Sequence, residues 1–535
     1  MSTTFLLMVS IVIFSCVIFN RISTKFGIPM LLVFIVLGML FGSDGIVKIP
    51  FDNYVLAEQA CTIALIFIMF YGGFGTKWSK AKPIAHKALL LSSIGTVLTA
   101  GLIGLFCYLF LDFNILEGLL LGAVISSTDA ASVFSILRIN KLNLRYNTAS
   151  MLEIESGSND PFAYMLTVII LSTMGGNASI STFATTLIEQ ILFGVAFGVA
   201  IAILANKFMN NFDFIVDGFD TIFIFAIAII SYSATTYFGG NGYLSVYLTG
   251  LILGNNKLKN KKSLVHFFDA MTGLMQMFLF FLLGLLSFPT ELPNVAIAAL
   301  GIFLFLTFVA RPIAVFSILA IFKSKINQGA FVSWSGIRGA ASIVFAIMAV
   351  TSPETTDNDI FHIVFFIVLL SILFQGTLIP YVAKILNMVD NESDVMKTFT
   401  DYIDEIPIES IQFKLNSSHK WIGKSIREIV LPPDSVLALI VRNNEKIIPY
   451  GDLVLHSNDL IILVGKAIDS KNEIDLYEKT VLKGDPWINV KLMDIPRNDK
   501  LILMVKRGEN IIIPRGNTLL LENDILVIND LKNTI

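Results

Sequence analysis

Long apolar runs separated by short polar stretches fill the chain from residue 4 to residue 388. A helix needs about 20 apolar residues to cross a bilayer, and by that measure the pattern predicts about 13 spans. They fall at 4–20, 28–45, 54–75, 84–110, 115–137, 148–174, 181–207, 219–237, 241–254, 267–288, 294–322, 328–351 and 359–388. The first run, Phe5 to Phe19, has no basic residue ahead of it and no small-residue cleavage site. It reads as a membrane helix and not as a signal peptide.

Charge in the loops alternates. Arg21 and Lys25, Lys77, Lys80 and Lys82, Arg138, Lys141 and Arg145, Lys207, the cluster Lys257, Lys259, Lys261 and Lys262, and Lys323 with Lys325 occupy every second loop. The intervening loops hold little that is basic beyond Lys48 and carry or border Asp112, Glu117, Glu291, Glu354 and Asp357. Basic loops stay in the cytoplasm. The N-terminus is therefore expected outside and everything after Asn387 in the cytosol, in a multi-pass inner (cell) membrane protein.

Past Met388 the pattern changes from helical runs to short alternating ones. An acidic stretch, Asp390 to Glu409, reads as a linker, and strand-like runs follow at 436–441, 460–464, 501–505 and 525–528. The tail repeats itself: residues 436–465 align without a gap on 501–530, with IIPYGD (447–452) answering IIPRGN (512–517). The expected organisation is a membrane domain over 1–388, a linker at 389–407, a first α+β lobe at 408–467 with a helix at 422–431, a linker at 468–484, and a second, partial lobe at 485–535. The fold class is thus a polytopic all-α membrane domain plus small α+β cytosolic tail domains.

Composition agrees. The chain is 55% hydrophobic with a mean hydropathy of +0.75, which would leave far too much apolar surface exposed on a soluble protein. A net charge of −3 gives no support to nucleic-acid binding. Cys16, Cys61 and Cys107 lie inside apolar runs without metal-ligand spacing and read as core residues. No cofactor is implied.

Charges within a bilayer are costly and usually functional. Those deep in the predicted spans are Asp129, Glu155, Asp160, Arg311 and Arg338. Counting helical rise from the outer ends puts Asp129 and Asp160 at ~21 Å, Arg338 at ~20 Å and Arg311 at ~25 Å. Glu58, Glu153, Glu189 and Asp269 lie nearer span ends and read as reachable by water or headgroups. Ser156, Asn159 and Asp160 share one helix face and offer hard oxygen ligands suited to an alkali cation. Pro161 leaves the carbonyl of Gly157 without a helical donor. Four polar residues in a row, Ser126 to Asp129, suggest a helix that stops and restarts at Ala130. The run Ala130-Ala131-Ser132-Val133 recurs as Ala340-Ala341-Ser342-Ile343 beside Gly336 and Gly339, which points to inverted repeats with interrupted helices. Milder readings of these features are helix packing by Ser and Thr, and a structural ion pair between Glu155 and an arginine.

Thr128-Asp129 followed by Glu155-Ser156-x-x-Asn159-Asp160, with later arginines in R-P and G-I-R-G-A settings, resembles the NhaP-type branch of the monovalent cation–proton antiporters. The resemblance implies a homodimer and a mobile core with two crossing, interrupted helices. It implies Asp160 as the shared cation/proton carboxylate, aided by Ser156, Asn159, Asp129 and the Thr128 carbonyl, with Glu155 paired to Arg338. The chain departs from some relatives in having no acidic residue at Ile68 to Gly73. The tail units resemble RCK_C (TrkA-C) lobes, which implies dimerisation and a small ligand, cyclic di-AMP among the candidates. By that resemblance the groove would use Val441, Arg442, Ile448 and Pro449, or Lys506, Arg507, Ile513 and Pro514 in the second unit; a bare dimerisation module is the alternative. The expected activity is electroneutral exchange of K+ for protons, with Na+/H+ exchange as the alternative. A ligand-gated cation channel would need a carbonyl filter that the spans lack, and the spans hold no nucleophile–His or metal-ligand set that would suggest an enzyme.

Overall fold

The computed structural model describes residues 10–18, 29–390, 408–466 and 476–530, except 141, 177–179, 213–217, 257, 259, 355, 418, 433–434, 443–444, 496–499, 509 and 513. Residues 4–9 and 19–20 of the first expected span, Arg21 and Lys25, Lys141, Lys257 and Lys259, nearly all of the 389–407 linker, and Ile513 lie outside the described residues. The chain divides into two compact units, residues 1–405 and 406–535.

The first unit is a polytopic, almost wholly α-helical membrane domain. Its helices are α1 (Met30–Phe41), α2 (Tyr54–Gly75), α3 (Ala85–Phe110), α4 (Ile115–Val124), α5 (Ala130–Ile139), α6 (Thr148–Met174), α7 (Ile180–Asn211), α8 (Phe219–Tyr237), α9 (Gly242–Asn255), α10 (Lys261–Leu286), α11 (Leu292–Ile321), α12 (Ile326–Trp334), α13 (Ala340–Thr351) and α14 (Ile360–Ile385). Among the described residues, seven helices are long and apolar enough to span a bilayer: α2, α3, α7, α8, α10, α11 and α14. Helix α6 is also long, but Glu153, Glu155 and Asp160 make it polar. The pairs α4/α5 and α12/α13 are short helices separated by non-helical residues 125–129 and 335–339.

With no hydrophobic effect to hold helices together in lipid, close backbone contact does much of the work. Helices α2 and α9 are the tightest case. A Cβ at Gly73 would lie 2.2 Å from the Tyr247 carbonyl oxygen, and one at Gly254 would lie 2.0 Å from that of Phe74. This contact fixes Tyr247 beside α6. Three helices widen into a π turn: α3 at Leu91–Gly95, α11 at Leu306–Ala310 and α14 at Ser371–Gly376. In α11 the widening precedes Pro312, which cannot donate to the carbonyl of Phe308. It places Arg311 toward the interior, only 3% exposed. The end of the domain folds back on the loop before α6, where Arg145 N–H donates to the Met388 carbonyl and Asp390 N–H to that of Asn143.

The second unit holds two four-stranded antiparallel sheets. The strands are β1 (Ile408–Lys414), β2 (Ser435–Arg442), β3 (Glu445–Ile447), β4 (Leu460–Lys466), β5 (Leu476–Thr480), β6 (Lys500–Arg507), β7 (Asn510–Ile512) and β8 (Ile525–Asp530). Their orders, β1-β4-β2-β3 and β5-β8-β6-β7, are the same arrangement twice. Even the register shift recurs, between Leu437 and Leu439 in one and between Ile502 and Met504 in the other. Two expectations need correction. The second copy is not shortened at its start: β5 supplies the outer strand inside the segment read as a 468–484 linker, and its composition, LYEKT, is too charged to show as a strand. The stretch 422–431 is not a helix beyond one 3₁₀ turn at Ile426–Glu428. Its backbone pairs instead with 451–455, Ile426 N–H with the Leu453 carbonyl and Arg427 N–H with that of Gly451.

Each lobe is fastened by the same device, a part-exposed arginine on a buried aspartate. Arg442 meets Asp459 through two hydrogen bonds of 2.8 and 2.7 Å and also donates to the Val454 carbonyl. Arg507 does the same with Asp524 and Leu519. The preceding Asn458 and Asn523 adopt left-handed backbone at φ 70° and 67°, a conformation Asn tolerates. Burial raises the Asp459 carboxyl, but the bonds from Arg442 and from His456 N–H outweigh it and hold it below the usual range. The Arg507 bond, against a smaller burial penalty, does likewise for Asp524. Both carboxylates therefore contribute stability above the ordinary Asp pKa of about 3.9, and that contribution is lost as pH falls through their depressed values. Replacing Arg442 with Met in the intact chain is expected to weaken amide protection of β4 in hydrogen exchange at pH 7 by about 1.5–3 kcal/mol, the range for a part-exposed hydrogen bond to a charged group, while β8 keeps its protection. Equal loss in both lobes, or none, would show that the pair does not fasten its own lobe.

Candidate ion-binding site

The two helix breaks meet. Asp129 N–H donates to the Ile337 carbonyl at 2.8 Å, joining the α4/α5 break to the α12/α13 break. A Cβ on Gly339 would come within 2.4 Å of the Asp129 side chain, so only glycine allows the approach. Arg338 reaches back across the junction and donates from Nη1 to the carbonyls of Ile125 at 2.6 Å and Ser127 at 2.9 Å. Those are orphan acceptors at the C-terminal end of α4, left by the break. Arg338 N–H is in turn held by the Ser371 hydroxyl in the π turn of α14, at 2.9 Å.

Helix α6 lies against this junction and supplies the carboxylate. Ser127 Oγ donates to Asp160 Oδ1. Asn159 Nδ2 donates to Thr128 Oγ1 at 2.6 Å. Ser156 Oγ donates to the Thr128 carbonyl at 2.7 Å and accepts from Ala130 N–H at 2.9 Å. The structure therefore brings together Thr128, Ser156, Asn159 and Asp160 as the sequence suggests. Ser156 is occupied in stapling the break. Asn159 Oδ1 is buried and has no hydrogen-bond partner among the described residues. An unpartnered amide oxygen next to a buried carboxylate is costly unless a cation or a proton donor sits there.

Asp129 lies in the same break, but both of its oxygens accept from Ser132, one from N–H at 3.2 Å and the other from Oγ. In this conformation it caps α5. Ser127, whose hydroxyl contacts Asp160 directly, is the residue that sequence reasoning left out of the site; the polar run Ser126 to Asp129 was its only signal.

One pairing is corrected. Glu155 does not pair with Arg338: its Oε1 lies 2.5 Å from Arg311 Nη2, with both side chains almost wholly buried. The arginine comes from the π turn of α11 and packs against Gly336, where a Cβ would meet its Nε at 2.9 Å. Arg338 is committed to backbone carbonyls instead. In the tail, the Arg442 guanidinium expected to meet a ligand is committed to Asp459 and Val454, and Arg507 likewise to Asp524 and Leu519. Lys506 meets Glu478. Ile448 is exposed, and Val441, Pro449 and Pro514 are partly so.

Comparison with known proteins adds the family context. Residues 9–385 match the sodium/hydrogen exchanger transmembrane family. The segments 411–469 and 476–528 each match the TrkA-C domain. A K(+)/H(+) antiporter NhaP2 of Shewanella sp. (strain MR-4) is 31% identical over 495 residues, covering 90% of this chain and 86% of that protein. The K(+)/H(+) antiporter NhaP of Alkalimonas amylolytica is 32% identical over 474 residues, 87% of this chain and 81% of its own. The Na(+)/H(+) antiporter 1 of Methanocaldococcus jannaschii is 29% identical over 350 residues, 62% of this chain and 79% of its own. The solved structure of the sodium proton antiporter MjNhaP1 from Methanocaldococcus jannaschii at pH 8 has the same fold, with TM-score 0.61 and 24% identity over 70% of this chain and 97% of that one.

The Glu155–Arg311 contact gives a direct test. Removing one partner of a buried pair leaves an uncompensated charge and costs about 3–5 kcal/mol. Arg311→Met should lower thermal stability strongly, and adding Glu155→Gln should restore part of it. Glu155→Gln combined with Arg338→Met should be close to additive if Glu155 and Arg338 do not share an interaction. A strong coupling between Glu155 and Arg338, with none to Arg311, would reverse the assignment.

Proposed function

The chain belongs to the sodium/hydrogen exchanger family and is a secondary-active cation/proton antiporter of the NhaP type, and from that premise we propose that it exchanges K+ for protons at Asp160. The observation that carries the reading is the buried Asp160 carboxylate, held by Ser127 next to the unpartnered Asn159 oxygen where the two helix breaks cross. One carboxylate that binds either a proton or a desolvated cation makes each exclude the other. Exchange follows when the loaded site is exposed to each side in turn. Thr128, Ser156 and Asp129 shape the break around it, and Asn159 Oδ1 with the Asp160 carboxylate are the ligand oxygens. The crossing breaks also favour an inverted-repeat architecture of about 13 spans by the hydrocarbon-thickness criterion.

Potassium is favoured over sodium because the relatives that align through both the membrane domain and the tail carry the K(+)/H(+) name. The sodium reading draws on a relative aligned over 62% of the chain. The basic loops support an orientation with the tail in the cytosol. The tail, matched twice to TrkA-C, is read as a regulatory module of a homodimer that responds to a small ligand, with cyclic di-AMP the first to test. Arg442 and Arg507 spend Nε and Nη2 inside the lobes, so such a ligand would meet only the remaining, part-exposed side of each guanidinium.

Two outcomes test the transport reading. Asp160→Asn in proteoliposomes should abolish proton flux driven by K+, Na+, Rb+ or Li+ while the protein remains folded; flux at the wild-type rate would remove Asp160 from the role. With one titrating carboxylate per cycle, exchange should be electroneutral, so clamping a membrane potential should leave the K+-driven rate almost unchanged. A steep voltage dependence would require a second titrating group.

A further inference from the structure

Glu153 stands on the same face of α6 as Asp160, seven residues earlier, which is about 10 Å along the helix. It lies toward the end where the basic Lys77 and Arg145 loops gather. The sequence reads it as a solvated residue at a span end. The structure instead packs it only partly exposed against two hydroxyl groups. Thr76 Oγ1, at the end of α2, is 3.3 Å from Glu153 Oε1 and also 2.8 Å from the Gly72 carbonyl oxygen. The Thr76 hydroxyl is thus shared between the two acceptors, and its bond to Glu153 is the longer one.

The third oxygen is Tyr247 Oη on α9. Tyr247 is 4% exposed, and its hydroxyl has no hydrogen-bond partner among the described residues. The Ser158 and Thr76 side chains interact with it only weakly, short of a well-formed hydrogen bond, and it is close enough to feel the Glu153 charge. Its ring occupies the space left by Gly157, where a Cβ would meet Cε2 at 2.4 Å and Oη at 3.0 Å. Gly157 lies between Glu153 and Asp160 on that helix face, so the tyrosine hydroxyl sits along the stripe joining the two carboxylates. The Lys77 charge is near enough to act on Glu153.

We propose that Glu153, Thr76 and Tyr247 form a second monovalent-cation subsite, where the ion sheds part of its hydration shell before passing to Asp160. Carboxylate, hydroxyl and phenol oxygens are the hard donors an alkali ion takes in place of water. A cation there gives the Tyr247 oxygen a partner and takes the Glu153 carboxylate as its charged ligand. The subsite lies on the basic-loop side of Asp160, so it acts on cations arriving from that side. The inference rests on Asp160 being the exchange carboxylate.

The test is sided kinetics in proteoliposomes of defined orientation, with K+ and then Rb+ offered to one face at a time. Glu153→Gln keeps the size of the side chain and its contact with Thr76 but removes the charge. It should raise the apparent KM for cation on the basic-loop face about fivefold or more, with a smaller fall in maximal rate, and leave KM on the opposite face within about twofold. Tyr247→Phe, which removes only the hydroxyl, should shift KM in the same sided way by a smaller factor. Unchanged KM on both faces, or an equal rise on both, would overturn the subsite. If Glu153→Gln is not recovered folded, Tyr247→Phe and Glu153→Asp decide by the same criterion. Asp160→Asn run in parallel separates the two claims: its loss of flux together with wild-type KM values in the Glu153 and Tyr247 variants sinks the subsite alone, and residual flux in Asp160→Asn sinks the reading beneath it.

Discussion

Backbone groups cannot be left unpaired in hydrocarbon, and this chain breaks two helices in the middle of its membrane domain. Everything at the site follows from settling that account. Arg338 fills the carbonyls left by α4, Ser156 bridges both sides of the same break, and Asp129 caps the helix that restarts. The breaks then hold each other through Asp129 N–H and the Ile337 carbonyl. Among the described residues, Asn159 Oδ1 beside Asp160 is left without a partner, as are Arg338 Nε and Nη2 and Arg311 Nε. A membrane protein can tolerate irregular backbone only where protein or a cavity satisfies it, and here Arg338, Ser156 and Asp129 are what satisfy it.

The arginines divide the work. Arg311 neutralises Glu155 and Arg338 serves backbone dipoles, although both are buried and close to the same junction. A carboxylate already paired with a guanidinium is a poor competitor for a cation. The pairing of Glu155 thus sets it apart from Asp160 and Glu153 on the same helix, whose carboxylates meet neutral hydroxyls. The tail uses an arginine–aspartate pair for a different purpose, locking a turn onto the sheet, and does so in the same way in both copies.

Much of this was legible in the sequence, and the exceptions share a cause. Apolar length located the long helices, and the charged residues of α6 marked the site. The ungapped repeat located the strands at 436, 460, 501 and 525 to within a residue or so. The partner of Glu155 was not legible, because two arginines come out at similar depth, both are buried, and only the contacts between helices commit Arg338 to backbone carbonyls and leave Arg311 for Glu155. Strand β5 was not legible because an edge strand with charged residues looks like a linker. The hydroxyl of Ser127 and the environment of Glu153 depend on contacts between helices far apart in sequence. Depth along one helix does not reveal what the next helix places beside it.

The contact between Gly339 and Asp129 also bears on how this chain can change by descent. Since the two positions share a space too small for one extra methyl group, a mutation at either is not an independent event. A larger residue at 339 becomes viable only with a shorter one at 129, and the shorter one forfeits the cap on α5. The two halves of the membrane domain are therefore bound by inheritance as well as by contact: neither break can drift unless the other drifts with it.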